Sequence, residues 1–110
     1  SIRNDRILEE IRIGREDYVC IMTRGHKDDM LIQAQVLSTP ASYIGVIGSR
    51  RKAAAVAKKL EEEYQIPPEE IARVHTPIGL DIGAETPEEI AVSIAAELIR
   101  HRAELRPEIR

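Results

Sequence analysis

The sequence predicts an α/β fold, in which a short parallel sheet of about three strands lies between layers of helices. Three short apolar runs alternate with longer segments whose apolar residues recur at helical spacing. This alternation, with short connections, is typical of right-handed crossovers and of a parallel sheet covered by helices. Because the chain has 110 residues, we expect residues 1–110 to form a single domain.

Each predicted strand is a short apolar run that ends in a turn. The strands are expected at Tyr18–Met22, Tyr43–Ile47 and Arg73–His75, and the last of these has the weakest pattern. Cys20 lies in the middle of the first strand, and we interpret it as a small core residue rather than a reactive thiol.

The first helices are predicted from apolar stripes at helical spacing. We expect an N-terminal amphipathic helix, two further helices and one isolated turn, at Asn4–Ile13, Lys27–Leu37, Arg50–Tyr64 and Glu69–Ile71. The two longer helices should bury the following apolar residues: Met30, Leu31, Ala34 and Leu37 in one, and Ala53, Ala57, Leu60 and Tyr64 in the other.

The last helix has the clearest start signal. Thr86 is a favourable cap, Pro87 suits the first helical position, and Glu89 completes a capping box. The helix should bury a wide apolar face made of Ile90, Ile94 and Leu98, with Ala91, Ala95 and Ile99 beside them. We assign Thr86 and Glu89 a structural role only.

Composition and charge exclude several classes of protein. Apolar residues make up 43% of the chain, which is the range of globular proteins. A net charge of −3 argues against a general nucleic-acid binder. Apolar runs are too short to span a membrane, and a single cysteine forms neither a disulfide framework nor a cysteine zinc site. We therefore expect a cytoplasmic protein without a metal centre of its own.

The turn after the second strand is the main candidate for a ligand site. The segment that runs from this strand through the turn into the next helix contains two glycines followed by a serine and three cations: Gly45, Gly48, Ser49, Arg50, Arg51 and Lys52. In open α/β sheets, ligands bind at the carboxyl ends of strands, and amides at a helix start attract anions. Cations there add charge-assisted hydrogen bonds to phosphate. The alternative is a tight glycine turn followed by solvated cations.

Two other loops are expected at the same edge of the sheet. The loop after the first strand contains Thr23, Arg24, Gly25 and His26, and the loop after the third contains Pro77 and Gly79. Both could form walls beside the Gly48 turn. Alternatively, Thr23 or Asp28 caps the next helix and His26 is a solvated loop residue.

The same segments resemble the xanthine dehydrogenase accessory factor family, also called XdhC/CoxI, in its C-terminal Rossmann-like domain. The resemblance covers residues 17–99 and is carried by three segments in the family's order: Tyr18–His26, Tyr43–Lys52 and Pro77–Ala91. It implies a partial Rossmann-like domain. We expect that this chain lacks the N-terminal part of the family's proteins, including their first glycine-rich turn.

The resemblance also implies a function. Members of this family bind the molybdenum cofactor, assist its sulfuration and deliver it to a molybdenum hydroxylase such as xanthine dehydrogenase. They do not turn over the hydroxylase's substrate, so the chain is expected to be a maturation factor more than an enzyme. The implied partners are the hydroxylase, a cysteine desulfurase and a second copy of the same protein. A sheet of only three parallel strands also predicts self-association, because it leaves apolar surface exposed.

Two other functions stay open. The fold could bind a nucleotide of the NAD or FAD type as a redox module, although a complete Gly-x-Gly-x-x-Gly fingerprint is absent from the sequence. It could also be a structural module for dimerisation or docking. Co-purification of a pterin, of a nucleotide or only of a second protein discriminates among these functions.

Overall fold

The computed structural model describes residues 11–22 and 26–106, with the backbone alone at residues 26–29. The chain divides into two compact units, Ser1–Pro77 and Ile78–Arg110. The assignment of both units to one domain stays a prediction.

The first unit contains a three-stranded parallel sheet in the order β1-β2-β3, as the alternating pattern predicts. Its strands are β1 (Tyr18–Ile21), β2 (Tyr43–Val46) and β3 (Val74–His75). Tyr18 pairs with Tyr43, and Ile44 pairs with Val74. The first two strands end one residue earlier than predicted, and the residues that follow them, Met22 and Ile47, are 55% and 37% exposed.

Among the described residues of this unit, three helices accompany the sheet: α1 (His26–Val36), α2 (Arg50–Glu62) and the short α3 (Pro68–Ile71). Side-chain hydroxyls help to end α1, since Ser38 Oγ donates to the carbonyl of Gln35 at 2.6 Å and Thr39 Oγ1 donates to that of Val36 at 2.6 Å. Pro40 follows in the sequence and cannot continue a helix.

The core lies between one face of the sheet and α1 and α2. The buried aliphatic residues from strands, helices and the intervening loop are Ile21, Ile44, Val46, Ile32, Val36, Leu37, Ala41, Val56 and Leu60. Val36 and Leu60 have no exposed surface. Burial of such side chains contributes about 1.5–3 kcal/mol each, so aliphatic packing holds this unit together without Phe or Trp.

The buried face of α1 differs from the predicted one. The structure buries Ile32, Gln33, Val36 and Leu37, whereas Met30, Leu31 and Ala34 are only half-buried. The burial of Gln33 explains the error, because a hydrophobic stripe cannot include an amide. Tyr64, expected on the buried face of α2, lies beyond the end of that helix and is 37% exposed.

Cys20 is exposed rather than buried, and our interpretation of it as a core residue is wrong. Side chains alternate between the two faces of a strand. Val19 packs against the core and Ile21 belongs to it, so Cys20 points to the opposite face. That face also presents Tyr18, Tyr43 and His75, whose rings stack with centroids 5.8 Å and 4.6 Å apart.

In its described part, the second unit consists of a loop and the long helix α4 (Pro87–Leu105). The predicted capping box is confirmed, because Thr86 Oγ1 accepts from the Glu89 amide at 3.1 Å and Glu89 Oε1 accepts from the Thr86 amide at 3.2 Å. The apolar face is more exposed than predicted. Ile90 and Ile99 are 36% and 55% exposed, and the buried residues of the helix are Ser93 and Glu97.

Most of the predicted N-terminal helix, Asn4–Ile13, lies outside the described residues, and its described part at residues 11–13 is not helical. In the part of the chain that is described, none of the helices combines the length and the apolar character needed to cross a bilayer.

Candidate functional site

A cleft opens in the first unit at the carboxyl end of β2, where α1 and α2 converge. We call it the Gly48 cleft, and its volume is about 40 Å³. Its apolar wall contains Val46, Ile47, Ala53, Val56, Ala57, Leu60, Ile71 and Val74, and its polar residues are Gln33, Gly48, Ser49, Lys52 and Thr76. The central strand β2, the helices α1 and α2 and the end of β3 therefore contribute to one site, as expected for this class of sheet.

The turn from β2 into α2 shapes the mouth of the cleft. Gly48 has a φ of 147°, which side-chain-bearing residues rarely adopt, and a Cβ at this position would meet open space. Ser49 is the N-cap of α2 in an extended conformation, and its Oγ accepts a hydrogen bond from the Lys52 amide at 3.2 Å. Ser49 Oγ donates to no acceptor among the described residues, so its hydroxyl proton is available for donation to a ligand.

The electrostatics of this turn favour an anion. Arg50, Arg51 and Lys52 occupy the first turn of α2, all three side chains are exposed, and no acidic residue lies in that turn. The backbone N–H of Arg51 donates to no backbone carbonyl among the described residues. The positive end of the helix dipole, an amide donor and a lysine in the wall of the cleft together match a phosphate group.

Gln33 is a residue of this site that the sequence analysis missed. It belongs to α1, is 4% exposed and lines the same cleft as Ser49 and Lys52 at the start of α2. A buried glutamine carries no periodic or spacing signal, since amides are usually solvent-exposed on helices. Only the packing of α1 against α2 reveals its position.

The structure describes only some of the remaining predicted site residues. Gly45 lies inside β2, as the predicted strand at Tyr43–Ile47 implies, and pairs with Cys20 and His75. It is not among the residues that line the Gly48 cleft. Thr23, Arg24 and Gly25 lie outside the described residues, as does the side chain of His26, whose backbone begins α1. Their place beside the Gly48 turn stays a prediction.

Pro77 and Gly79 fall in different units, Pro77 at the end of the first and Gly79 in the second. Gly79 has a φ of 101°, and its amide donates to Glu97 Oε2 at 3.1 Å. The adjacent Leu80 amide donates to the Ser93 carbonyl at 3.1 Å, and Ser93 Oγ donates to the Leu80 carbonyl at 2.6 Å. Two buried polar residues of α4, Ser93 and Glu97, therefore fix the conformation of the loop around Gly79.

Comparison with known proteins gives a consistent result. The chain matches the XdhC Rossmann domain over residues 2–98. It is 36% identical over 93 residues to the uncharacterized protein YqeB of Escherichia coli, covering 84% of this chain and 17% of that protein. It is 34% identical over 98 residues to a Bacillus subtilis protein named as a probable component of xanthine dehydrogenase, covering 89% and 27% respectively.

Among solved structures, the chain is similar to a crystal structure titled as a xanthine dehydrogenase of Bacillus halodurans. The TM-score is 0.76 and the sequences are 32% identical, with coverage of 92% of this chain and 28% of that chain. The chain thus spans less than a third of the length of each of these relatives.

Proposed function

Because this chain belongs to the XdhC Rossmann domain family, we propose that it binds the molybdenum cofactor and assists the maturation of a molybdenum hydroxylase such as xanthine dehydrogenase. The family match carries the proposal. The B. subtilis and B. halodurans relatives, which are named for xanthine dehydrogenase, support the identity of the hydroxylase. In this role the domain holds the cofactor during sulfuration and insertion, and it does not turn over the hydroxylase's substrate.

The Gly48 cleft supports the binding of one part of the cofactor. The cofactor is an anionic pterin that carries a phosphate, and the donors at the Gly48 turn suit a phosphate. A cleft of about 40 Å³ holds only a few water-sized groups. We therefore assign it the phosphate and not the fused ring system.

The ring system requires other walls. We propose that Thr23–His26 and Pro77 supply them, because both follow strands of the same parallel sheet. The role of Gly79, which belongs to the second unit, stays a prediction. The proposed partners are the apo-hydroxylase, a cysteine desulfurase and a second copy of the chain. Transfer among these partners requires reversible binding of the cofactor, and exposed cations at a helix start can provide it.

Charge removal at the start of α2 tests the site. We expect Arg51→Ala/Lys52→Ala to reduce cofactor affinity tenfold or more, since each lost charge-assisted contact costs about 1.5–3 kcal/mol. Arg50→Ala, alone and added to the double variant, measures the contribution of the third cation. Cofactor content is measured by pterin fluorescence after purification from a host that makes the cofactor.

Lys58→Ala/Lys59→Ala is the matched control, because it removes two cations from the other end of the same helix. This control should retain the cofactor. Equal cofactor content in the wild type, the control and the triple variant would contradict an anion site at the Gly48 turn. Recovery of a nucleotide absorbance in place of pterin fluorescence would contradict the proposed cofactor and favour a nucleotide-binding module.

A further inference from the structure

Gln33 occupies an unusual place for an amide. Only 4% of the residue is exposed, and it lines the Gly48 cleft. Three nearby residues are buried to a similar degree, and all belong to the core: Ile32 and Val36 of α1, and Leu37, which directly follows α1. A buried amide is normally hydrogen-bonded, because its transfer out of water without a partner is costly.

The side-chain amide of Gln33 has no such partner within the described residues. Two positions along the helix, the side-chain amide of Gln35 donates a hydrogen bond to the Leu31 carbonyl at 3.2 Å. The side chain of Gln33 makes no comparable hydrogen bond to a described residue. Across the same residues, no side-chain nitrogen or oxygen is both sealed from solvent and unpartnered. The Gln33 amide is therefore not fully sealed from solvent, and its residue is part of the cleft wall.

We propose that Gln33 is a recognition residue whose Nε2 donates a hydrogen bond to a phosphate group held at the Gly48 turn. The Arg51 amide, the Ser49 hydroxyl and Lys52 approach the phosphate from the start of α2, and Gln33 approaches it from α1. Two helices then bind one ligand, and the apolar wall below limits its size. The inference rests on the proposed function only for the identity of the molecule that carries the phosphate.

An amide suits this position better than a carboxylate or an apolar side chain would. A carboxylate of the same length would repel a phosphate. An apolar side chain would leave one oxygen of the phosphate without a hydrogen-bond donor in a partly closed cleft. Glutamine donates without adding charge, so it distinguishes a phosphate from an apolar group while leaving the net charge of the site to the three cations.

The experiment measures inorganic phosphate affinity from the phosphate-dependent increase in unfolding stability, at constant ionic strength. The wild type should be stabilised by phosphate. Gln33→Met, which keeps the side-chain length, should retain wild-type stability without phosphate and bind phosphate roughly tenfold more weakly. Gln33→Glu should lose the phosphate effect altogether. Gln35→Met, on the same helix but not in the cleft wall, should keep wild-type affinity.

Wild-type phosphate affinity in both Gln33 variants, or a wild type that phosphate does not stabilise, would overturn the inference. A folded Gln33→Glu variant keeps the test valid if Gln33→Met fails to fold. Failure of the proposed function has a different signature. Gln33-dependent phosphate binding in a protein that never acquires the molybdenum cofactor supports the inference and contradicts the proposed function.

Discussion

Arg73 connects the end of α3 to the segment between α1 and β2 with a single guanidinium group. Its two terminal nitrogens donate to the carbonyls of Leu37, Thr39 and Ala41 at 3.1–3.3 Å, and to Glu70 at 2.8 Å. These carbonyls lie after the last turn of α1, where backbone acceptors have no partner within the helix. The planar fork of arginine reaches several acceptors at once, which a lysine cannot do.

We therefore expect Arg73→Ala to lower the free energy of unfolding by about 1.5–3 kcal/mol, the usual range for hydrogen bonds from a charged group. Arg73→Lys should recover only part of this loss. Urea unfolding measures the difference. Arg100→Ala is the control, because Arg100 is 61% exposed and its contact with Glu104 is 3.9 Å long. A loss no greater than that of the control would contradict the role of Arg73.

The burial of three polar helix residues was not predicted from the sequence. Gln33, Ser93 and Glu97 each occupy a helical position that an apolar stripe does not include, yet they are 4%, 5% and 7% exposed. Ser93 and Glu97 bond to residues 13 and 18 positions away. Such contacts depend on how a loop folds back onto a helix, and spacing within the helix does not encode that path.

At the scale of elements, local sequence signals were sufficient to predict the three strands and the start of α4. The capping box of α4, the proline after α1 and the alternation of strands with helices predicted all three strands of the described sheet and the start of α4. These features depend on neighbouring residues and on backbone geometry. The faces that helices bury were predicted less well, because a face is selected by its tertiary partner.

The start of α4 makes a pH-dependent contribution to stability. Glu89 accepts hydrogen bonds from the amides of Glu85 and Thr86, which hold the pKa of its carboxyl below the usual value. A carboxyl with a lower pKa in the folded state stabilises the fold above its unfolded pKa, and that contribution is lost as pH falls through the folded pKa. Stability from this group should therefore decline on acidification below pH 4.5.

Glu89→Gln should flatten this part of the pH dependence, as measured by thermal unfolding between neutral and acidic pH. Glu88→Gln is the control, since it keeps the capping box intact and should preserve the slope that Glu89 causes. Thr86→Ala should cost about 1 kcal/mol at neutral pH, because it removes the other half of the box. Identical pH profiles in Glu89→Gln and the wild type would contradict the contribution of Glu89.

At the scale of the whole molecule, the second unit presents an unusual amount of apolar surface. Val92, Ile99 and Leu105 of α4 are 60%, 55% and 58% exposed. Val92 and Ile99 are seven residues apart and therefore share one face of the helix, with the exposed Ala95 between them. Monomeric proteins rarely leave contiguous apolar patches uncovered.

We expect a second copy of the chain to cover this face, in line with the self-association that a small parallel sheet predicts. Light scattering should then give a mass above that of the monomer at micromolar concentration. Val92→Glu/Ile99→Glu should shift the mass toward the monomer, because two carboxylates would have to be desolvated at the interface. Glu88→Lys/Glu104→Lys, which alters exposed charges at the two ends of the same helix, should leave the mass unchanged. A monomeric wild type would contradict the expectation, and α4 would then not be a self-association surface.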